Sequence, residues 1–382
     1  MSAEGRSGDI IVVGGYGQVG REVVRVLAPA FPGRVVVAGR SAARAEALAR
    51  RTGEGARGLA LDITSPTALS RLEGAALVVM CLDQRTTFFV EQCLRAGIDY
   101  VDVTANGDSL AAFERLGPLA REAGSTAVVS VGIAPGLTQL LAAQAVSRLD
   151  ATQRLDLFVL LGAGDVHGAA AIEWTLENLA APFDVYRDGV LQRVHSFRET
   201  TDVQFPGERQ ARPAWRFNFP DQRAAARTLS VPTVSTWLRF DPSWLGGVAA
   251  FAVKAGLGRL LHRAWVRRAL TWLSQRVHAG SDAFAVMARA EGQVAGVPAV
   301  RWAAVQGHRE AEATGRVAAE VARELLTGRR PGGVLHLDQF VEQPEALVRR
   351  VVEAVPDARY ETSPTGAVTE AVIPHAVLAA RG

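Results

Sequence analysis

Short apolar runs alternate with helix-spaced segments through the first third of the chain. The apolar runs, rich in β-branched residues, predict buried strands at residues 10–13, 35–38, 58–61, 76–81, 100–103 and 126–131. Apolar residues at helical spacing predict helices at 20–27, 42–51, 66–72, 87–96 and 110–123. Short buried strands that alternate with helices are typical of an α/β protein with a doubly wound parallel sheet.

The pattern changes after Gly136. A linking helix is predicted at 137–149, followed by strand-like segments at 155–161, 193–196, 233–240, 283–291 and 300–307. Their alternation suits a second, α+β domain on a mixed or antiparallel sheet. Basic helices are predicted at 245–263 and 265–277, and another helix at 312–326. We therefore expect a first domain at 1–136, a second at 137–335 with a helical insertion near 244–278, and a less regular C-terminal segment at 336–382.

The composition agrees with two globular domains and argues against an extensively disordered protein and a nucleic-acid-binding protein. The chain has 382 residues, of which 48% are hydrophobic and 21% charged, enough apolar material for two cores and too little charge for extensive disorder. The net charge is only +3, Lys254 is the single lysine, and the arginines are interleaved with acidic residues. A nucleic-acid ligand would require clustered positive charge, so none is expected.

The location of the protein is predicted from its cysteines and its hydropathy. Cys81 and Cys93 lie in apolar stretches outside any CxxC pair, which indicates reduced thiols rather than a disulfide. The polar start is followed directly by a strand, unlike a signal peptide. The nearest approach to a membrane span, 245–261, is interrupted by Lys254 and Arg259. We expect a cytoplasmic protein without an integral membrane segment.

A glycine-rich fingerprint follows the first strand. It reads Gly15-Tyr16-Gly17-Gln18-Val19-Gly20 and fits G-x-G-x-x-G. The first glycine allows a tight turn, the second lets the backbone approach a pyrophosphate, and the third lets helix and strand pack. The following helix N-terminus favours phosphate. Placed between a strand and an amphipathic helix, the motif predicts a Rossmann dinucleotide site, the alternative being a glycine-rich turn without a ligand.

Residues after the second strand select the dinucleotide. NAD sites place an acidic residue there for the ribose 2′-hydroxyl. This chain has Arg40 and Ser41 instead, with Arg44 one turn later. A guanidinium and a hydroxyl suit a 2′-phosphate, so NADPH is expected over NADH. The alternative for Arg40 is an ordinary surface arginine.

Two further positions are candidates for cofactor contacts. Asp62, after the third strand, can accept a hydrogen bond from the adenine amino group or cap the helix near Pro66. Cys81 and Leu82 end the fourth strand, where contacts on the nicotinamide side are expected in this topology.

Four segments together resemble the saccharopine dehydrogenase-like proteins in order and spacing. They are Gly15–Gly20, Ala38-Gly39-Arg40-Ser41, Gly97-Ile98-Asp99-Tyr100-Val101-Asp102 and Gly132-Ile133-Ala134-Pro135-Gly136-Leu137. The resemblance continues at 164–168, 173–175 and 315–333. It implies a Rossmann domain, an α+β domain with the substrate site and often a dimer interface, and a C-terminal segment that returns to the first domain. It also implies reduction of imines or of carbon–carbon double bonds.

The chemistry needs a group that manages one proton beside the acceptor. Tyr100 and Asp102 lie near the end of the fifth strand, where ligands gather in open α/β sheets. Asp102 can hold a substrate amine or supply the proton, or it can cap the turn at 104–107. His167 lies among small residues and suits proton transfer, the alternative being a structural histidine. The segment 132–137 can approach the nicotinamide or act as a plain hinge.

Two basic regions of the second domain have alternative interpretations. Arg216, Asp221, Gln222 and Arg223 can clamp a substrate carboxylate or form exposed loop charge. The helices at 245–277 can be a hairpin with an arginine-rich solvent face, a lid, a partner-binding pair or an interfacial membrane contact.

The pattern as a whole predicts an NADPH-dependent reductase for a small-molecule substrate. A C=N bond is the expected target and C=C the rival, while a homodimer is expected from the resemblance. A non-catalytic NADP(H)-binding regulator is the alternative of a different class. The histidines lack metal-ligand spacing, so no metal is expected.

Overall fold

The computed structural model describes residues 7–84, 86–165, 169–179, 181–258, 263–274, 280–328 and 330–364. His167 lies outside the described residues. In chain order, the strands are β1 (Asp9–Val13), β2 (Val35–Gly39), β3 (Arg57–Ala60), β4 (Ala75–Met80), β5 (Asp99–Asp102), β6 (Thr126–Val129), β7 (Ala151–Gly162), β8 (Pro182–Arg187), β9 (Val190–His195), β10 (Thr200–Val203), β11 (Arg212–Arg216), β12 (Thr233–Asp241), β13 (Ala283–Val294), β14 (Val297–His308), β15 (Gly333–His336) and β16 (Arg359–Thr362).

The helices follow the same order. They are α1 (Gln18–Ala30), α2 (Ala42–Thr52), α3 (Phe88–Arg95), α4 (Gly107–Glu114), α5 (Gly117–Glu122), α6 (Thr138–Val146), α7 (Ala169–Asn178), α8 (Asp221–Thr228), α9 (Trp244–Lys254), α10 (Ala264–Ser274), α11 (Glu310–Thr327), α12 (Leu337–Phe340) and α13 (Pro344–Ala354). The chain divides into one unit of residues 1–136 and 311–342 and another of 137–310 and 343–382.

The first unit is built on a seven-stranded sheet in the order β15-β6-β5-β4-β1-β2-β3. Every strand pair in it is parallel. The central strands β1, β2 and β4 are almost wholly apolar because helices cover both faces of such a sheet. Tyr100, Phe113 and Met80 are among the largest fully buried side chains. The predicted doubly wound α/β fold is confirmed, with β15 as an added edge strand.

Residues 311–342 are joined to this first unit by helix packing, an ion pair and strand pairing. A Cβ on Gly315 of α11 would lie 2.7 Å from the Val19 carbonyl, so the two helices meet backbone to backbone. Arg330 forms two hydrogen bonds to the buried Asp99 carboxylate, at 2.5 and 2.7 Å. β15 pairs with β6 in parallel. The expected second domain of 137–335 therefore differs from the observed division, which changes unit at 311.

The second unit contains a mixed seven-stranded sheet in the order β10-β11-β12-β7-β13-β14-β16. β12 and β7 are parallel, and the other neighbours are antiparallel. β8 and β9 form a separate hairpin. The predicted mixed α+β unit is confirmed. Of the expected C-terminal segment, residues 336–342 belong to the first unit, whereas α13 and β16 belong to the second, in which β16 pairs with β14.

Two predicted helices of the first unit differ in detail. The helix expected at 66–72 is reduced to a 3-10 turn, Leu69–Leu72. The helix expected at 110–123 is two helices, α4 and α5, with Pro118 in the first turn of α5. A proline lacks the amide hydrogen that a continuous helix needs, so it favours a new helix start.

Candidate functional site

The glycine fingerprint forms a tight turn between β1 and α1. The Gly14 and Gly15 amides both donate to the Ala38 carbonyl, at 2.9 and 3.2 Å. Gly14 has φ of 76°, a backbone conformation that favours glycine. A Cβ on Gly20 would lie 2.4 Å from the Gly14 carbonyl oxygen. The helix therefore starts directly against the strand, and any larger residue at position 20 would separate them.

Gly17 leaves space where a phosphate group would fit. Among the described residues, a Cβ there would meet within 4 Å only the Gly14 oxygen, at 3.1 Å. Gly17 is the N-cap of α1 and provides no side-chain cap. The Arg21 amide is bonded back to Gly17 at 3.0 Å, and the amides of Gln18 and Val19 precede it in the first turn. This arrangement fits a pyrophosphate at the helix N-terminus.

Tyr16 connects the fingerprint to the end of β2. Its ring packs against Gly39, where an added Cβ would lie 2.6 Å from the ring. Its hydroxyl accepts a hydrogen bond from the Ser41 amide at 3.2 Å. The Arg44 guanidinium lies over the same ring, 4.3 Å from its centroid. The structure thus brings together Tyr16, Ser41 and Arg44, which the sequence analysis named separately.

Arg40 and Asp62 lie at the ends of neighbouring strands. Arg40 is exposed, and Gly39 before it pairs with Ala60 of β3. Asp62 accepts from the Thr64 amide and hydroxyl, at 3.0 and 2.7 Å. These hydrogen bonds lower the pKa of Asp62, with a smaller contribution from Arg40. Asp62 closes a turn ahead of Ser65, and the capping of a helix near Pro66 is not observed.

The end of β4 has one sheltered and one exposed side chain. Leu82 is 43% exposed and packs over Gly14, where a Cβ would lie 2.8 Å from the leucine methyl. Cys81 is partly buried, and burial raises the pKa of its thiol, followed by the nearby Asp102 charge. Cys81 therefore remains a neutral thiol. Leu82 presents an apolar surface beside the glycine turn.

Asp102 and Tyr100 are sealed inside the first unit. The Asp102 carboxylate accepts from the Thr104 amide and from Gln84 Nε2, both at 2.8 Å. Burial, opposed by the Thr104 amide, raises the pKa of Asp102 from 3.8 to about 7. Neither the Tyr100 hydroxyl nor Gln84 Oε1 has a hydrogen-bond partner within the described part of the chain. The observed contacts of Asp102 are those of the turn-capping alternative.

A second polar chain at the same edge of the sheet was not anticipated. Ser130, directly after β6, has φ of 59° and is fully buried. Its hydroxyl lies 2.7 Å from His336 Nδ1, and His336 Nε2 lies 2.9 Å from a Glu114 carboxylate oxygen. The serine and histidine are 206 residues apart in sequence. Only the pairing of β15 with β6 brings them together, so no local pattern could have identified them.

Three residues of the polar cluster at Arg216 are buried, whereas the fourth, Arg223, is exposed. Arg216 donates from Nε to Glu199 at 3.0 Å, and its guanidinium lies 4.4 Å from the Trp237 ring centroid. Burial lowers its pKa, against the raising effect of Glu199. Asp221 and Gln222 are also buried, so the exposed-loop interpretation does not hold for these three residues. A substrate carboxylate at Arg216 would compete with Glu199.

Trp174 belongs to an aromatic cluster of the second unit. Its ring contacts Phe217 and Phe219 at centroid distances of 5.6 Å each. Phe197 stacks on Trp215 at 6.0 Å and meets Phe217 edge-on. These contacts fix α7 on the mixed sheet. The relation of Trp174 to His167 lies outside the described residues.

No group of three or more His, Cys, Asp or Glu side chains in the part of the chain that the structure describes is arranged to hold a metal ion. No helix in the described ranges has the length and apolar character required to cross a membrane.

Comparison with known proteins identifies the first unit. Residues 10–128 match the family model of the saccharopine dehydrogenase NADP binding domain. No curated protein matches the chain. Apo saccharopine dehydrogenase (L-Glu forming) from Saccharomyces cerevisiae has a similar structure, with TM-score 0.64 and 15% identity over 94% of this chain and 100% of that one. At this identity the likeness concerns the fold.

Two other solved structures are more distant. Amine dehydrogenase from Mycobacterium smegmatis has TM-score 0.45 and 8% identity, over 90% of this chain and 99% of that chain. DAP dehydrogenase from C. glutamicum has TM-score 0.42 and 13% identity, over 90% and 99%.

The family model and the glycine turn agree on the cofactor. The matched residues include the whole fingerprint, β2 with its following turn, and β4 to β5. The cofactor is therefore NADP(H), as expected, and the predicted resemblance is confirmed for residues 10–128, which match the saccharopine dehydrogenase NADP binding domain.

Proposed function

We propose that the chain is an NADPH-dependent reductase that acts on a C=N bond of a small metabolite. The observation that supports the cofactor preference is the grouping of Tyr16, Ser41 and Arg44 next to Arg40, with the open glycine at position 17 in the same fingerprint as Tyr16. Two guanidinium groups and no carboxylate at the end of β2 favour a ribose 2′-phosphate.

The parts of the cofactor have distinct supports in this chain. Gly15, Gly17 and Gly20 keep the backbone close to the pyrophosphate, and the first amides of α1 bind it. Tyr16 holds Arg44 and the Ser41 backbone in place for the adenosine end. Leu82 provides an apolar contact near the glycine turn. The bound nicotinamide supplies hydride, and the protein positions the acceptor and manages one proton.

Two polar groups at the carboxyl edge of the sheet are proposed to influence proton transfer through the residues that they contact. The pKa of Asp102, about 7, suits a group that holds and releases a proton near neutrality. Its complete burial makes it a positioning residue that acts through Gln84 and Thr104. Ser130, His336 and Glu114 form a second chain that ends at the partly exposed Glu114. Tyr100 and His167 stay proposals from the sequence alone.

The imine substrate, the homodimer and the cytoplasmic location are supported by the family resemblance or by the cysteines, not by the geometry of the cofactor site. The imine and the homodimer follow from the resemblance to saccharopine dehydrogenase-like proteins. A cytoplasmic location is supported by Cys81 and Cys93, which are both free. A reductase of C=C bonds is the alternative within the same cofactor chemistry.

Calorimetric titration with NADPH and NADH tests the cofactor preference. We expect NADPH to bind more tightly and Arg40→Asp to weaken NADPH binding about 10- to 100-fold, the range of a charge-assisted hydrogen bond. Arg51→Asp, an exposed arginine at the far end of α2, makes the same charge change and should alter NADPH binding little. Equal losses in both variants would show that Arg40 makes no specific contact.

Turnover distinguishes the candidate reactions. NADPH consumption with amine–aldehyde pairs supports the imine reductase, and consumption with enoyl compounds alone supports the alternative. Tight NADPH binding without turnover of either class would favour a regulatory NADP(H)-binding protein. No binding of either dinucleotide would overturn the proposal.

A further inference from the structure

One segment of the second unit has an unusual charge. Residues 242–281 contain six lysines and arginines and no aspartate or glutamate. The whole chain has 39 acidic residues in 382, about one in ten, so about four would be expected in such a stretch. The segment also holds three of the seven tryptophans. It combines an excess of positively charged residues with large apolar side chains.

α9 presents a stripe of large apolar side chains to solvent. Trp244, Val248 and Phe251 follow the i, i+4, i+7 spacing of one helix face and are 59%, 57% and 72% exposed. The opposite face is packed, since a Cβ on Gly246 would lie 2.2 Å from the Trp215 ring and Ala250 is buried. α9 is therefore held in place by its packed face, and the stripe of Trp244, Val248 and Phe251 is presented to solvent by a fixed helix.

α10 likewise presents aromatic side chains to solvent on one face and is held in place by the opposite face. Trp265 is 65% exposed and Trp272, seven residues later, is 56% exposed. Arg268 is exposed beside Trp265. The inner face is tied to α7, because Arg267 Nη2 lies 3.2 Å from Glu177 and its Nε lies 3.9 Å from Glu173.

Both helices are attached to one aromatic cluster. α9 rests on Trp215 through Gly246, and α10 is tied to α7, whose Trp174 packs on Phe217 and Phe219. Phe197 contacts both Trp215 and Phe217. A continuous packed core thus supports the two exposed stripes.

We propose that α9 and α10 bind the surface of a membrane containing anionic phospholipids, with Trp244, Phe251 and Trp265 at the headgroup boundary. Interfacial helices place tryptophan and phenylalanine at this depth and surround them with lysine and arginine. Lys254, Arg263 and Arg268 are exposed and have the sign that anionic headgroups attract. The contact is peripheral and does not depend on the proposed reductase activity.

The charge argues against a second copy as the occupant. A twofold interface brings the same patch of each subunit together. Residues 242–281 contain no acidic residue, and the carboxylates of Glu173 and Glu177 beside α10 are already paired with Arg267, so such an interface would bring the remaining cations together without opposing charge from this segment. An anionic surface complements the segment, whereas its own copy repels it.

Sedimentation with phospholipid vesicles tests the proposal. The full chain should pellet with vesicles that mix phosphatidylcholine and phosphatidylglycerol, and not with phosphatidylcholine alone. Phe251→Ser and Trp265→Ser should each weaken the partition constant about tenfold or more, from the apolar area that they remove. The double change Arg263→Gln with Arg268→Gln should weaken it about 30-fold at low salt.

A matched control and a mass measurement complete the test. Val190→Ser removes an apolar side chain that is 61% exposed on β9, and it should leave vesicle binding unchanged. Circular dichroism melting checks that each variant is folded. Equal binding to both vesicle types, or no binding, would overturn the proposal. It would also fall if Phe251→Ser or Trp265→Ser halved the mass measured by light scattering, since the face would then be a contact between copies.

Discussion

Asp102 gives the folded state a distinctive pH dependence. Its pKa rises from 3.8 to about 7 on folding, mainly because the carboxyl is fully buried. The folded state therefore holds this proton more tightly than the unfolded state. Its contribution to stability is complete below about pH 4, is lost as the pH rises toward about 7, and stays constant above that. At about 1.36 kcal/mol per unit, the ionised carboxylate costs the fold about 4 kcal/mol.

Asp102→Asn replaces the titrating group with a neutral one of the same shape. The new side-chain carbonyl can still accept from the Thr104 amide, and Gln84 can turn its partnerless Oε1 toward the new amide group. The gain in stability over the parent protein should grow by about 2 kcal/mol between about pH 5.5 and about pH 8.5. In a unit of this size, that corresponds to about 4–8 °C in Tm.

Scanning calorimetry across this pH range measures the difference directly. Asp62→Asn is the control, because the pKa of that exposed carboxylate is lowered and it stays ionised throughout the range. Its effect on Tm should not depend on pH. If the difference between Asp102→Asn and the parent is also independent of pH, the carboxyl is not desolvated as its burial implies, and its proposed role with the proton loses its basis.

Three further substitutions test the packing and the long-range contacts. In thermal unfolding, Gly20→Ala should destabilise the first unit by about 1–3 kcal/mol, because its Cβ would lie 2.4 Å from a carbonyl oxygen. Gly247→Ala lies in open space on α9 and should stabilise the second unit by up to about 1 kcal/mol in the same assay. Arg330→Met should cost about 3–5 kcal/mol in urea unfolding because it removes the cation that neutralises buried Asp99, and adding Asp99→Asn should recover part of the loss. His336→Leu should cost about 1–3 kcal/mol in the same assay, since both ring nitrogens lose hydrogen bonds, and an unchanged midpoint would contradict a structural role.

The first unit was predictable because its signals are local. β1 and β2 are short and nearly all apolar. The spacing of the glycines in the fingerprint predicts that α1 packs closely against β1, as the structure shows at Gly20. The edge strand β15 was not predictable in this way. Its four residues, Gly333–His336, join the sheet about 200 residues after β6, and that pairing depends on the packing of α11 and on Arg330.

In the second unit, too, contacts between residues that are distant in sequence were not predictable. Five of its described strands, β7, β9, β12, β13 and β14, were predicted from alternation, whereas β8, β10, β11 and β16 were not. Alternation also does not reveal that β12 runs parallel to β7 while the other neighbours are antiparallel. The sequence left two interpretations of Arg216 open, a clamp for a substrate carboxylate or exposed loop charge, and burial was neither of them. Arg216 is buried because Glu199, 17 residues earlier, neutralises it. A charge and its partner on different strands leave no pattern that a window along the chain can detect.

The sealed positions of Asp102 and Ser130 limit how this edge of the sheet can act on a substrate. A carboxyl held by Gln84 and the Thr104 amide cannot touch a substrate unless one of those hydrogen bonds breaks. Its effect on a reaction must therefore pass through the position of its neighbours. A substitution at Asp102 should then shift the pH profile of kcat and leave KM largely unchanged, whereas a direct substrate contact would raise KM. The same reasoning applies to Ser130, whose hydroxyl is held by His336 and whose path to solvent leads through Glu114.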